Sequence, residues 1–194
     1  MRFHIPLILA LTALATASPV PVQAPAPDAH PLSKRDGAAV ISAVNTITES
    51  MITLNDTVTS YKGGILGTVT ALKIEFQAIA LSNDLRDAVS TTKASANFTE
   101  EESLNVSAAF LDLQPNIDST LDNIVRKKPQ FDTGLLGIGS LGFLVKANLV
   151  TEKDLAAKLG DEVVKRLTAT YAGIAPIINA QIQAKFEEAI AAFE

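Results

Sequence analysis

Few residues in this chain have side chains suited to catalysis. Both histidines, His4 and His30, lie within the first 35 residues, and the sequence contains no cysteine. Residues 36–194 therefore lack the groups for a Ser-His-Asp triad, a thiol nucleophile or the usual zinc site. The densest acidic cluster, Glu100-Glu101-Glu102, resembles the paired carboxylates of a glycosidase. It stands where a helix is expected to begin, however, and acids there are stabilised by the helix dipole. We interpret it as structural and predict no catalytic residue.

A glycine motif raises the question of a nucleotide cofactor. The run Gly137-Ile138-Gly139-Ser140-Leu141-Gly142 matches the pattern G-x-G-x-x-G, with Asp161 further along the chain. The dinucleotide fingerprint needs a preceding strand and a second strand that carries the acid. The flanking sequence has helical periodicity instead, so we expect no cofactor. We interpret these glycines, together with Gly134, as sites either of close helix approach or of deliberate looseness in the helix. No acidic spacing typical of a calcium loop occurs, and we predict no metal site.

The first 35 residues have the composition of processing signals. Arg2 precedes an apolar run over residues 5–17, which is shorter than the roughly 20 residues needed to span a bilayer. Residues 1–17 are predicted to be a signal peptide cleaved near Ala17, and 18–35 a proline-rich, disordered pro-segment that ends in the dibasic pair Lys34-Arg35. The mature domain would then be 36–194, secreted to the extracellular space.

Charge and sequons agree with an extracellular protein. Residues 36–194 carry 13 Lys and Arg against 20 Asp and Glu, a net charge of -7 without a basic stripe, so nucleic acid is not an expected partner. We predict neither a transmembrane segment nor a lipid anchor in the mature chain. Asn55, Asn97 and Asn105 lie in Asn-x-Ser/Thr sequons and are glycosylation candidates.

Helical periodicity extends through the mature domain. Apolar residues from Val40 to Tyr61 follow steps of three and four, which indicates a first helix over 37–61 that Gly63 and Gly64 end. Further helices are predicted over 65–92, from a capping box at Thr99, and over 131–149. Thr151, with Asp154 three residues later, is expected to cap a fifth helix over 151–167. Pro115 is expected to bend or divide the third. A last segment, 177–193, is either separate or a kinked continuation of the fifth. The fold class is all-α, an antiparallel bundle of about five helices.

Several features together resemble one known family. They are the signal peptide, the pro-segment ending in Lys34-Arg35, the cysteine-free helical domain, and the junction Lys127-Lys128-Pro129-Gln130-Phe131 before a Gly/Leu-rich helix. The chain resembles the fungal hydrophobic surface-binding protein A family, which includes the cell wall galactomannoproteins, over about 38–190. The resemblance implies a secreted or wall-associated helical protein. Some members adsorb to hydrophobic surfaces and recruit polyester-degrading hydrolases, and some bind fatty acids in an apolar cavity.

Two functional classes follow from these observations. The first is a non-enzymatic protein that binds a fatty acid or another apolar ligand, adsorbs to hydrophobic surfaces, or does both, with a secreted hydrolase as a further partner. Its cavity is expected to be lined by six apolar residues, namely Met51, Leu72, Phe76, Ile79, Leu111 and Leu141. The second class is a structural or antigenic wall mannoprotein without a cavity. The chain has no Ser/Thr-rich stalk, which favours release over stable attachment to the wall.

Overall fold

The computed structural model describes residues 36–134 and 139–194. The predicted signal peptide and pro-segment, with Ala17, Lys34 and Arg35, lie outside the described residues. The described chain forms five long helices and two short ones. In chain order they are α1 Asp36–Ser60, α2 Gly64–Ala94, α3 Glu100–Arg126, α4 Lys128–Asp132, α5 Gly142–Val164, α6 Ala169–Ala172 and α7 Ala175–Ala191.

The first helix follows its sequence pattern closely. The apolar residues that recur along α1 from Val40 to Tyr61 are buried and form one side of the hydrophobic core. Gly63 and Gly64 have φ angles of 70° and 67°, in the left-handed region that glycine adopts without a steric penalty. This short turn reverses the chain into α2, as predicted. The Lys127 side chain caps the C-terminal end of α1. It donates hydrogen bonds to the carbonyl oxygens of Thr59 and Tyr61, at 2.7 and 2.8 Å.

The third helix begins as expected but does not divide. The Thr99 hydroxyl accepts a hydrogen bond from the Glu102 amide at 3.2 Å, and the Glu102 carboxylate accepts one from the Thr99 amide at 2.9 Å. This capping box satisfies two amide groups that a helix start leaves without partners. Pro115 lies inside α3, and the helix continues past it to Arg126. Of the two outcomes expected at Pro115, a bend or a division, the division is therefore wrong.

The predicted fourth and fifth helices are arranged differently in the structure. Instead of two helices over 131–149 and 151–167, a single helix, α5, runs from Gly142 to Val164. Thr151, expected to begin the fifth helix, lies in the middle of α5, where its hydroxyl donates to the carbonyl of Ala147 at 2.9 Å. This bond satisfies the hydroxyl within a continuous helix, so the residue that resembles a cap does not act as one.

The five long helices form a closed ring. Long helices that follow one another in the chain run in opposite directions, which confirms the predicted antiparallel bundle. Around the ring the order is α1, α2, α5, α7 and α3, and α3 packs back against α1. Some neighbours in the ring are not consecutive in the chain, and hydrogen bonds show that these helices run parallel to each other. On α2 and α5, for example, Asn148 donates to Glu75 at 2.8 Å, and Arg166, just beyond α5, donates to the carbonyl of Lys93 at 2.6 Å.

The second helix is apolar on two opposite sides. Its buried side includes Ile74, Leu81 and Leu85, whereas Leu72 and Phe76 are more than half exposed. Both α1 and α2 are long and apolar enough to cross a membrane by length and composition, a test that the core helix of a soluble protein also passes. The buried stripe of α1 accounts for its composition. The exposed side chains of α2 need a separate explanation.

Candidate ligand cavity

A cavity of about 240 Å³ lies at the centre of the helix ring, and all five long helices line it. A ring of five helices encloses more space than a four-helix bundle, and several lining positions carry only small side chains. These positions are Ala108, Ala156, Gly160 and Ala175. An engineered apolar cavity of about 150 Å³ stays dry and binds benzene. The volume here is thus sufficient for a substantial apolar group.

One side of the cavity opens to solvent. Three of its lining residues, Leu104, Leu111 and Ile174, are more than half exposed. They come from α3 and from the segment that precedes α7. Most of the other lining residues are buried or half-buried, and Met51, Leu81 and Phe186 are among the fully buried ones. An elongated apolar molecule could therefore enter at the α3 side and extend toward the buried end.

Gly160 allows α7 to approach α5 along this cavity. A Cβ atom at that position would come within 2.8 Å of the Asn179 side chain on α7. A larger residue would force the two helices apart or displace Asn179. The glycine thus determines how closely α5 and α7 can pack along the cavity.

Glu152 is an acidic residue in a mostly apolar wall. Its side chain is 3% exposed, it lines the cavity, and its Oε1 atom has no hydrogen-bond partner among the described residues. Buried polar atoms without partners are rare in folded proteins, and those that occur are often linked to function. Neither lysine nor arginine is present in the described lining to neutralise the carboxylate.

Burial controls the ionisation of Glu152. Loss of solvation raises the pKa of this carboxyl to about 8, and the negative charge of Glu75 on α2 adds to the increase. Glu152 is therefore largely protonated at neutral pH, and its carboxyl group can donate a hydrogen bond into the cavity. A carboxylic acid of this kind is the strongest donor available in the described wall.

The sequence contains a signal for Glu152 that the cap pattern at Thr151 conceals. Because Thr151 was interpreted as a helix cap, Glu152 fell in an expected first turn, where acids are common. In a continuous helix, Glu152 is spaced by three and seven residues from Leu155 and Leu159, both buried. That spacing places the acid on the buried face of α5.

The six residues expected to line the cavity occupy different surfaces. Met51 and Leu111 line it. Leu72, Phe76 and Ile79 lie on the outward side of α2, and Leu141 packs partly buried against the core just before α5. The three α2 residues do share one helix face, as their spacing indicates. That face points away from the ring because the opposite stripe packs against α1 and α5.

The outward side of α2 forms an apolar patch that we call the α2 patch. It is defined by six large exposed side chains, Ile65, Leu66, Val69, Leu72, Phe76 and Ile79. Leu66 is 98% exposed and Phe76 is 69% exposed. Soluble proteins rarely expose a contiguous apolar surface of this kind without a binding role.

The three glycosylation candidates differ in their surroundings. Asn97 is exposed in the connection between α2 and α3, and Asn105 is exposed on α3. Asn55 is half-buried in α1, where its amide donates to Ser119 at 3.2 Å and its side-chain oxygen accepts from Asn123 at 2.8 Å. A glycan would have to break the Asn55 bonds, so Asn97 and Asn105 are the more accessible positions.

The motifs that could suggest a cofactor or metal provide no site in the described chain. Gly137 and Ile138 lie outside the described residues, and Gly142 begins α5. Close approach does occur at Gly134, where a Cβ atom would collide with the Tyr61 hydroxyl. Within residues 36–134 and 139–194, no group of three or more His, Cys, Asp or Glu side chains is placed to hold a metal ion.

Comparisons with known proteins agree on a family and a fold. The model for hydrophobic surface binding protein A matches residues 37–165. The structure is similar to that of Afmp4p in complex with palmitic acid, with a TM-score of 0.75 and 29% identity over 81% of this chain and 99% of that one. No curated protein sequence matches the chain.

Two ligand-binding domains of the Penicillium marneffei MP1 protein have the same fold. Domain 1, complexed with arachidonic acids, has a TM-score of 0.73 and 19% identity, over 82% of this chain and 99% of the other. Domain 2, complexed with multiple arachidonic acids, has a TM-score of 0.72 and 22% identity, over 80% and 94%.

Proposed function

Because the chain belongs to the hydrophobic surface binding protein A family, we propose that it is a non-enzymatic binding protein whose central cavity takes up the acyl chain of a fatty acid. The observation that carries this proposal is the largely apolar cavity that all five long helices line. The similarity to Afmp4p, a structure in complex with palmitic acid, supports the choice of a fatty acid among apolar ligands.

The energy for binding would come mainly from the acyl chain. Each methylene removed from water contributes about 0.8 kcal/mol, so six buried methylenes contribute about 5 kcal/mol before the costs of association. Such a cavity needs few polar contacts and would accept chains of different length. Met51 and Leu111, which lie at the buried and open parts of the wall, are proposed contacts of the chain.

A cavity-filling variant tests the proposal. Ala156→Phe places a ring in the cavity from the α5 wall and should weaken palmitic acid binding at least about tenfold, measured by displacement of a fluorescent fatty acid. Ala147→Phe is the matched control, since Ala147 is exposed on the same helix and does not line the cavity. Far-UV circular dichroism checks that both variants remain helical. Equal palmitic acid affinity in both variants would contradict binding at this site.

A second activity, adsorption to apolar surfaces, is supported by the α2 patch. An apolar solid or polyester surface could cover these side chains without rearrangement of the bundle, and burial of each large side chain would contribute roughly 1.5–3 kcal/mol. We propose that this patch makes the first contact with the surface. The proposal accounts for exposed apolar side chains that the core does not require.

Depletion from solution by hydrophobic beads measures this activity. The double variant Leu66→Ser, Phe76→Ser should be depleted much less than the unmodified protein. The control Ile52→Ser, Ile177→Ser removes two other exposed apolar side chains, from α1 and α7, and should adsorb normally. Similar losses in both double variants would show that general hydrophobicity, rather than the α2 patch, drives adsorption.

The remaining proposals concern the setting in which the protein acts. We propose secretion after removal of residues 1–35 and recruitment of a secreted hydrolase to polyester surfaces. N-terminal sequencing of secreted protein should begin at Asp36. The alternative function, a structural or antigenic wall mannoprotein, predicts that protein purified from a secreting host carries no fatty acid. Native mass spectrometry of that material distinguishes the two functions directly.

A further inference from the structure

The Glu152 carboxyl group is placed to contact a ligand. Its Oε1 atom is buried beside the cavity without a hydrogen-bond partner in the described chain. The other polar residues of the described lining, Ser107 on α3, Tyr171 on α6 and Asn179 on α7, are only half-buried. Among the polar residues of the described lining, Glu152 is thus the one that is fully buried.

We propose that Glu152 is the internal polar contact of the cavity, and that its protonated carboxyl group donates a hydrogen bond to the carboxylate of a bound fatty acid. This inference rests on the proposed function and adds an orientation to it. The ligand would enter head first, with its carboxylate toward Glu152 and its chain toward the opening. The complex would hold one proton between two carboxyl groups.

The chemistry of paired carboxyl groups favours this contact. Two ionised carboxylates at close range repel each other, but a protonated one donates a short, charge-assisted hydrogen bond to its partner. Without lysine or arginine in the described lining, the protonated acid is the group best suited to receive a buried carboxylate.

The dimensions of the cavity are compatible with a long chain. From Glu152 to Val163, both in the lining, α5 rises about 16 Å at 1.5 Å per residue. A head group at Glu152 would leave the acyl chain to follow Ala156 and Leu159 along this wall. The chain would then reach the side of the cavity where Ile174 is exposed.

The contact makes binding dependent on pH. On α2, Glu75 opposes ionisation of Glu152, while the nearest cation on α5, Lys153, is paired with Glu187 of α7 at 3.1 Å. The lining residues from α1, such as Met51, are apolar, and none of those from α3 is charged. Once Glu152 ionises at alkaline pH, its charge should repel the ligand carboxylate.

The test compares palmitic acid with the alcohol of the same chain length, by displacement of a fluorescent probe at about pH 6.5 and pH 9. The unmodified protein should lose affinity for palmitic acid at least about tenfold at the higher pH, and for the alcohol much less. Glu152→Gln retains a donor and cannot ionise, so it should bind palmitic acid with little dependence on pH. Asp154→Asn, an exposed acid on the same helix, is the matched control and should behave as the unmodified protein.

Glu152→Leu decides the orientation. Head-first binding predicts a loss of about tenfold or more in palmitic acid affinity at pH 6.5, the order expected for a lost hydrogen bond to a charged group. Equal or tighter binding by this variant overturns the inference and leaves the proposed function intact. Failure of the unmodified protein to bind palmitic acid at either pH overturns both.

Discussion

Glu152 should reduce the stability of the folded protein as the pH rises, and substituting it should remove that effect. A buried carboxyl group with a raised pKa binds its proton more tightly in the folded protein than in the unfolded chain. The free energy of unfolding therefore falls with increasing pH wherever the unfolded chain has lost this proton and the folded protein has retained it. Glu152→Gln abolishes this ionisation with a side chain of similar size.

The magnitude follows from the two pKa values. The pKa of Glu152 has its ordinary value of 4.5 in the unfolded chain and is about 8 in the folded protein. Below pH 4.5 the acid is protonated in both states and has no effect by this route. Between the two values the stability falls, by about 5 kcal/mol at most, and above pH 8 the loss stays constant. A loss of this size approaches the total stability of many domains.

Urea unfolding monitored by far-UV circular dichroism, at intervals from about pH 4.5 to pH 8.5, measures the effect. The informative quantity is the difference in unfolding free energy between Glu152→Gln and the unmodified protein, which should increase by several kcal/mol across this range. In exposed acids such as Asp132, a hydrogen bond from Lys128 lowers the pKa. Such acids make the free energy of unfolding rise with pH below about pH 4. Both proteins contain them, so their contribution cancels in the difference. A difference that stays constant with pH would refute the reasoning, because Glu152 would then ionise as an ordinary acid.

Two further predictions concern the α2–α3 connection. Thr99→Ala removes the capping hydroxyl and leaves the Glu102 amide without its acceptor, so it should lower the free energy of unfolding by about 1 kcal/mol, measured by urea unfolding; Thr99→Ser should retain most of that stability. That threonine also completes the Asn97 sequon, so the cap is tested on unglycosylated protein. In protein from a secreting host, Asn97→Gln should remove the mass of one glycan, and an unchanged mass would show that this exposed asparagine is not modified.

Local sequence patterns predicted where the helices lie better than which face of each helix is buried. The repeat from Val40 to Tyr61 has one apolar stripe, so the buried side of α1 could be read directly from the sequence. On α2, a stripe through Leu72 and Phe76 and another through Leu81 both have helical spacing. Which stripe is buried depends on where α1 and α5 pack, and periodicity within one helix holds no information on that packing.

The cavity was still harder to anticipate, because it results from the closure of five helices into a ring. Small side chains such as Ala156 and Gly160 are ordinary in any helix and leave space only where a facing helix does not fill it. The acid in the cavity could not be anticipated for a related reason, since Thr151 matches a cap pattern that its bond to Ala147 overrides. Local chemistry thus determines where a helix can start, and packing decides whether it does.

The positions of the two apolar surfaces imply that ligand uptake and adsorption can be altered separately. Leu81 and Leu85 of α2 line the cavity, whereas Phe76 and Ile79 point outward. Residues 79 and 81 lie about 200° apart around a helix axis, since each residue adds about 100°. A flat surface that covers the α2 patch therefore approaches the ring from outside, and the cavity opens on the side of α3 and the segment before α7. A protein adsorbed in this way keeps its cavity accessible, so it could hold a fatty acid while it is bound to an apolar surface.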